Sequence, residues 1–224
     1  EIPYAFLTGI SSHGWVLHHV VGHHVTYLDQ QRDESRWQDR RGRKMGMLIY
    51  TLVTTWTAYP RCLMVARRHP RFLPVFLGMG LLNLVILAGL LAYNPLGALL
   101  VFVLPAALAL HLTVWATYSH HAGLPTDNHF VASNNVLDPW YNWATLNLGY
   151  HTAHHYRQAV HWSLLPQLHA TIAHRIPKER FLPAGVPFNV IYAVQRWLGK
   201  RPGPPQPPRE GAVVSPVPWG NEHA

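Results

Sequence analysis

Between residues 72 and 119 the chain carries no Asp, Glu, Lys or Arg, a run of 48 residues. The core of a soluble domain has no need of so long an uncharged stretch. A bilayer does, because each crossing takes about 20 apolar residues. We therefore read residues 72–92 and 96–118 as an outgoing and a returning helix. Tyr93, Asn94 and Pro95 between them form a turn signal without charge, which suits the non-cytoplasmic side. The whole chain agrees: 49% of its residues are hydrophobic and 12% charged, the latter about half the share of an ordinary soluble domain.

The formal charge of +8 invites a nucleic-acid reading, but the distribution argues against it. Lys and Arg gather at 32–44, 61–71 and 157–201, beside the apolar runs, in the pattern of the positive-inside rule. The same basic surface suits an acidic electron-transfer partner. A single cysteine, Cys62, excludes an intrachain disulfide framework and any Cys-rich zinc or iron–sulfur site. No cleavable signal peptide is recognisable. The chain opens at Glu1 in apolar sequence with no initiator Met, so it is expected to lack its true N-terminus.

Residues 2–28 carry no charge after Glu1 and read as the end of a membrane helix entering the aqueous phase. Residues 29–44 read as a solvated connection or surface helix. Residues 45–66 are apolar but hold Pro60 and Arg61, and are expected to lie in the interface. Two crossings then separate residues 19–24 from 151–155, and an even number keeps both groups on one side. Trp140, Tyr141 and Trp143 in the polar loop 126–147 suit an interfacial aromatic belt. One domain is expected over 1–201, with a Pro-rich, extended tail over 202–224.

Seventeen histidines are clustered rather than scattered. The first group is His18, His19, His23 and His24, containing H-x3-HH. The second is His120-His121, followed by Ala-Gly. The third is His151, His154 and His155, an HxxHH. On an α-helix, positions i, i+3 and i+4 share a face, so the third group projects together. By the same rule His19 and His23 share a face, with His24 about 100° round. Neutral imidazole suits iron, copper, nickel or zinc. Three such groups exceed what one ion binds, since a structural zinc saturates at four ligands, and so they suggest two metals. A bis-histidine haem needs an opposed pair instead of doublets. The soluble carboxylate-bridged di-iron pattern, paired Glu-x-x-His, is absent: Glu1, Glu34, Glu179, Glu210 and Glu222 are never followed three residues on by His.

These motifs resemble the membrane fatty acid desaturase and hydroxylase superfamily, which includes the membrane alkane monooxygenases. His19, His23 and His24 are similar to its second box, H-x(2,3)-HH; His151, His154 and His155 to its third, HxxHH. His121 resembles its additional histidine. The likeness spans about residues 5–175. The third box in its setting, NLGYHTAHH followed by HWSLLPQLHA, leans to desaturases, and the H-x3-HH spacing with Asp33-Glu34-Ser35-Arg36 leans to alkane hydroxylases. A first box, H-x(3,4)-H, is expected upstream. His13 and His18 have that spacing but lie too close to the second box, and are read as bystanders.

The resemblance implies an all-α, integral membrane helical bundle with a cytosolic, histidine-rich di-iron cap. Its metal ligands are expected to be His19, His23, His24, His121, His151, His154 and His155, holding two non-haem iron ions with O2 as co-substrate. It further implies a fatty acyl or alkyl lipid substrate, desaturated or alternatively hydroxylated. An external electron donor such as ferredoxin, rubredoxin or a cytochrome b5-like protein is implied too. A prokaryotic inner membrane, with the metals on its cytoplasmic side, is the expected location. His161 and His169 are read as interface or supporting residues, Asn147 as a cap or polar contact. His111 is read as facing a substrate tunnel or a neighbouring helix.

Overall fold

The computed structural model describes residues 1–185 together with 190, 194, 197 and 198. The Pro-rich segment 202–224 lies outside the described residues. The fold is all-α, with no strand among the described residues. The chain divides into two compact units, Glu1–Asn128 and a second beginning at His129.

The first unit opens with α1 (Ile2–Thr8) and α2 (Ser12–Trp15), which passes directly into a π-helix at Val16–His24. Residues 2–28 are therefore not one continuous helix end. Gly9 breaks them at φ 75°, a left-handed conformation that favours glycine. Ser11 then caps α2 by accepting from the Gly14 amide at 2.9 Å.

Residues 29–44 form no helix, and their middle is not solvated. Asp33, Glu34 and Ser35 are buried at 2%, 3% and 4% exposure. The burial is made tolerable by local partners. The Glu34 amide donates to Gly22 O at 2.8 Å, the Ser35 amide to Asp33 Oδ1 at 2.7 Å, and Arg68 pairs with the Glu34 carboxylate.

Two short helices follow, α3 (Met47–Trp56) and α4 (Ala58–Arg68). At 10 and 11 residues, each is about half the length needed to cross. Arg61 in α4 is buried, donating to the Glu34 carbonyl and to Thr57 Oγ1 at 2.8 Å. Cys62 is buried in the same core, donating to Gly14 O at 3.3 Å. That burial pushes its thiol up to about 12, so it rests as the protonated thiol at neutral pH.

Next come α5 (Leu73–Tyr93), α6 (Pro95–Ala98), a π-turn at Leu99–Val103 and α7 (Leu104–His121). Residues 70–93 and 95–121 are both long and apolar enough to cross a membrane. Within their most apolar windows only 6% and 11% is buried against the rest of the chain, the reverse of a soluble core helix. The turn is capped by Asn94, which accepts from the Gly97 amide at 2.9 Å. The returning helix is packed against α1 and α3 and runs three residues beyond 118, ending on His121.

The second unit holds α8 (Pro139–Ala144), α9 (His151–Tyr156) and α10 (Leu165–Ile172). Asp138 caps α8, accepting from the Tyr141 amide at 2.9 Å. Ala153, Leu165, Ile172 and Ile176 form its core. Trp140 and Trp143 on α8 stay exposed.

Candidate metal centre

The π-helix changes which histidines of the second box meet. An α-helix pairs i with i+4, so His19 was expected beside His23. Hydrogen bonds from i to i+5 bring residues five apart into line too. His19 Nε2 and His24 Nε2 accordingly approach to 2.8 Å. Two imidazoles bound to one ion at about 2.1 Å, at right angles, would set their nitrogens about 3 Å apart. His23 stays beside His19 as expected, at 5.4 Å between ring centroids, and meets a further neighbour. Its ring lies 5.0 Å from that of His121, and their ligating nitrogens are within 4.8 Å of each other. The first unit thus presents two imidazole pairs, one on the π-helix alone and one joining it to the end of α7.

His23 has a built orientation. Its Nδ1–H donates to Asp33 Oδ1 at 2.9 Å, with both side chains no more than 2% exposed. A carboxylate on Nδ1 fixes the tautomer and leaves Nε2 as the nitrogen with a lone pair to offer a metal. The sequence reading missed Asp33, taking its segment as solvated. Trp15 stacks on His19 at a centroid distance of 4.1 Å, fixing the plane of that ring.

In the second unit, His151, His154 and His155 share α9 with ring centroids 4.8 to 5.6 Å apart. His151 and His155 are buried. Thr152, inside the box, is fully buried and anchors the helix. Asn135 Nδ2 donates to its hydroxyl at 2.8 Å, its amide donates to Asn135 Oδ1 at 3.0 Å, and Ser133 Oγ lies 2.9 Å from Thr152 Oγ1. Polar residues at 133–135, far from the box in sequence, gave no signal of this role.

The remaining histidines are arranged otherwise. His13 is part-exposed beside Glu1, 3.4 Å away. His18 is buried, and burial, with Arg61 and His23 nearby, holds its pKa down to about 3, so its ring is neutral. His111 donates from Nδ1 to Ala107 O of its own helix at 2.7 Å. Asn147 is a polar contact, donating to Trp162 O at 3.2 Å from a left-handed backbone. His161 is exposed and lies 2.9 Å from Ser163 Oγ. His169 is buried between Tyr150 and Phe181.

Neutral imidazoles alone, in adjacent pairs, fit a late first-row metal and do not fit magnesium or calcium, which take oxygen. Fold and side chains together define a helical, histidine-rich protein equipped to bind metal. The particular family follows from comparison: residues 2–184 match the fatty acid desaturase model, and the chain belongs to that family. Membership makes it an oxidoreductase of the fatty-acyl class, iron-binding and membrane-associated. No curated protein and no solved structure matches the chain.

Proposed function

We propose that this chain uses O2 to insert a double bond into a fatty acyl chain, with His19, His23, His24, His121, His151, His154 and His155 holding two non-haem irons. The observation that carries the reading is the pairing in the first unit: His19 with His24 at 2.8 Å, His23 with His121 at 5.0 Å between rings. Two pairs of nitrogen donors call for two ions, and the three histidines of α9 add further ligands of the same kind.

Bound iron supplies the oxidant derived from O2 that removes hydrogen from an unactivated methylene, which no side chain can do. The chain's own residues orient and insulate. Asp33 holds the Nδ1 proton of His23. Asn135 and Ser133 pin α9 through Thr152. The apolar helices 70–93 and 95–121 cross a membrane in this reading, a prokaryotic inner membrane with the irons on the cytoplasmic side. A ferredoxin, rubredoxin or cytochrome b5-like donor docks on the basic flanks.

The full-length protein should contain two irons per chain and give an O2-dependent alkene from an acyl lipid, with both lost in His24→Ala and His154→Ala. An alcohol product would favour the hydroxylase reading, to which the H-x3-HH spacing of the second box points. A haem absorption band, or iron retained in full by both variants, overturns the assignment.

A further inference from the structure

We propose that a single water molecule is held at the junction of the π-helix, α3 and α7, bound by His18 and Thr54, and that it keeps the elements carrying His19, His23, His24 and His121 in register. The water site stands by itself; only its consequence for iron rests on the function proposed above.

A cavity of about 20 Å3 lies among these three elements. The π-helix lines it with His18 and His19, α3 with Tyr50 and Thr54, and α7 with Thr113 and Thr117. A buried water needs about 10–15 Å3 and two to four polar partners. The space therefore suits one water and nothing larger. An apolar void stays dry, so the partners decide the matter.

Two side-chain atoms of the lining residues lack a partner. His18 Nε2 and Thr54 Oγ1 are buried and make no hydrogen bond within the chain. His18 is 8% exposed and Thr54 1%. A helical Thr can return its proton to a carbonyl of the preceding turn, as Thr113 does to Ala109 O at 2.9 Å and Thr117 to Thr113 O at 3.0 Å. Thr54 does not. It lies beside the Tyr50 hydroxyl without bonding it in ordinary geometry, and that hydroxyl donates to Ser35 O at 2.9 Å. A polar atom so buried is costly unless something satisfies it. Here two of them, from different elements, belong to the wall of one water-sized space.

A water completes the set of donors and acceptors. It accepts from the Thr54 hydroxyl and pairs with His18 Nε2, as donor or acceptor according to the ring's tautomer. Thr113 and Thr117 have given their protons to the helix but keep lone pairs, which take a proton from the water. Three elements then share one polar joint. Its place in the chain matters: His18 precedes His19, and Thr117 is one turn before His121. The packing nearby, Tyr50 with Val114 and Tyr118, is apolar and so non-directional. The water supplies the directional contact.

The test is a crystal structure of the full-length protein at a resolution that shows ordered water, with Thr54→Val and Thr54→Ser beside wild type. Wild type and Thr54→Ser should each show one water within about 3.2 Å of His18 Nε2 and of the residue-54 hydroxyl. Thr54→Val keeps the shape and loses the hydroxyl; it should lose the water and melt about 2–4 °C lower. Iron titrated against a chelator should bind Thr54→Val severalfold more weakly, and Thr54→Ser as it binds wild type. Should the valine variant not fold, the wild-type and serine structures decide. A wild-type structure without the water, a xenon atom taken up there under pressure with no water displaced, or an unchanged melting temperature in Thr54→Val overturns the proposal. A water lost with iron affinity unchanged overturns its positioning role. The water and the melting need no iron, so a wild-type protein that binds none sinks the oxidase reading and leaves the site standing. A working oxidase without the water sinks this inference alone.

Discussion

Replacing Asp33 tests the metal centre at a point where a buried carboxylate orients a candidate ligand. Asp33 Oδ1 accepts both from His23 Nδ1 at 2.9 Å and from the Ser35 amide at 2.7 Å. Both ionisable side chains are essentially excluded from water. Removing such a carboxylate partner of a ligating histidine typically lowers metal affinity about 10- to 100-fold, or roughly 1.4–2.8 kcal/mol. Asp33→Ala should fall at the upper end, because it leaves the His23 Nδ1–H and the Ser35 amide buried without an acceptor. Asp33→Asn keeps an oxygen for both but loses the charge, which roughly halves the strength of the bond, so it should fall at the lower end. The assay is iron titration of the purified full-length protein against a competing chelator, with thermal melting in parallel. A graded loss, Asp33 tighter than Asn and Asn tighter than Ala, is expected. If Asp33→Ala lowers the melting temperature but binds iron within twofold of wild type, the residue merely pins its loop, and the orientation argument is wrong.

Thr152→Val keeps the shape of a fully buried side chain and removes the hydroxyl that Asn135 and Ser133 contact; it should cost about 1–3 kcal/mol and reduce iron loading, read by melting and metal analysis. Gly22→Ala places a Cβ 2.9 Å from Leu17 O and 2.8 Å from Glu34 Cγ; relief requires the π-helix to shift, with an expected penalty of about 1–3 kcal/mol and weaker iron binding in the same titration. His169 carries a pKa held down to about 4 by burial, from 6.5. The unfolded chain therefore takes up the proton first, so stability is full above about pH 6.5 and declines as pH falls toward 4, by up to about 3 kcal/mol. Melting temperature followed from pH 7.5 to 4.5 should show that decline, and His169→Phe should lessen it, with buried His18 contributing a remainder of the same sign.

The long apolar helices were legible because length and the absence of charge leave few alternatives: residues 72–92 and 96–118 became Leu73–Tyr93 and, with a π-turn, 95–121. The third box was legible in its own helix, since His151, His154 and His155 obey the ordinary period. The second box was legible only in part: His19 and His23 do lie together, at 5.4 Å between rings, but nothing in HHVVGHH announces the change from i→i+4 to i→i+5 bonding that brings His24 onto His19. The buried acids were misread for a related reason. Charge at 33–34 signals water unless its partners are known. Those partners, His23, Gly22 and Arg68, lie up to 34 residues away in sequence. Likewise Asn135 meets Thr152 across 17 residues, a pairing no local pattern encodes.

The π-helix also accounts for why a histidine doublet belongs here. Adjacent residues on a helix diverge by about 100°, so His23 and His24 cannot readily serve one ion from one face. In an α-helix His19 would pair with His23 alone on its own helix. The wider turn also brings His24 to His19, at 2.8 Å, while His23, still 5.4 Å from His19 between rings, faces His121, the terminal residue of α7. A single nine-residue element thereby contributes to both imidazole pairs. Its distortion is held by Glu34, whose amide bonds Gly22 O and whose carboxylate and carbonyl are taken by Arg68 and Arg61 from α4. Glu34, in the acidic run that follows the box, thus ties the middle of the π-helix to α4.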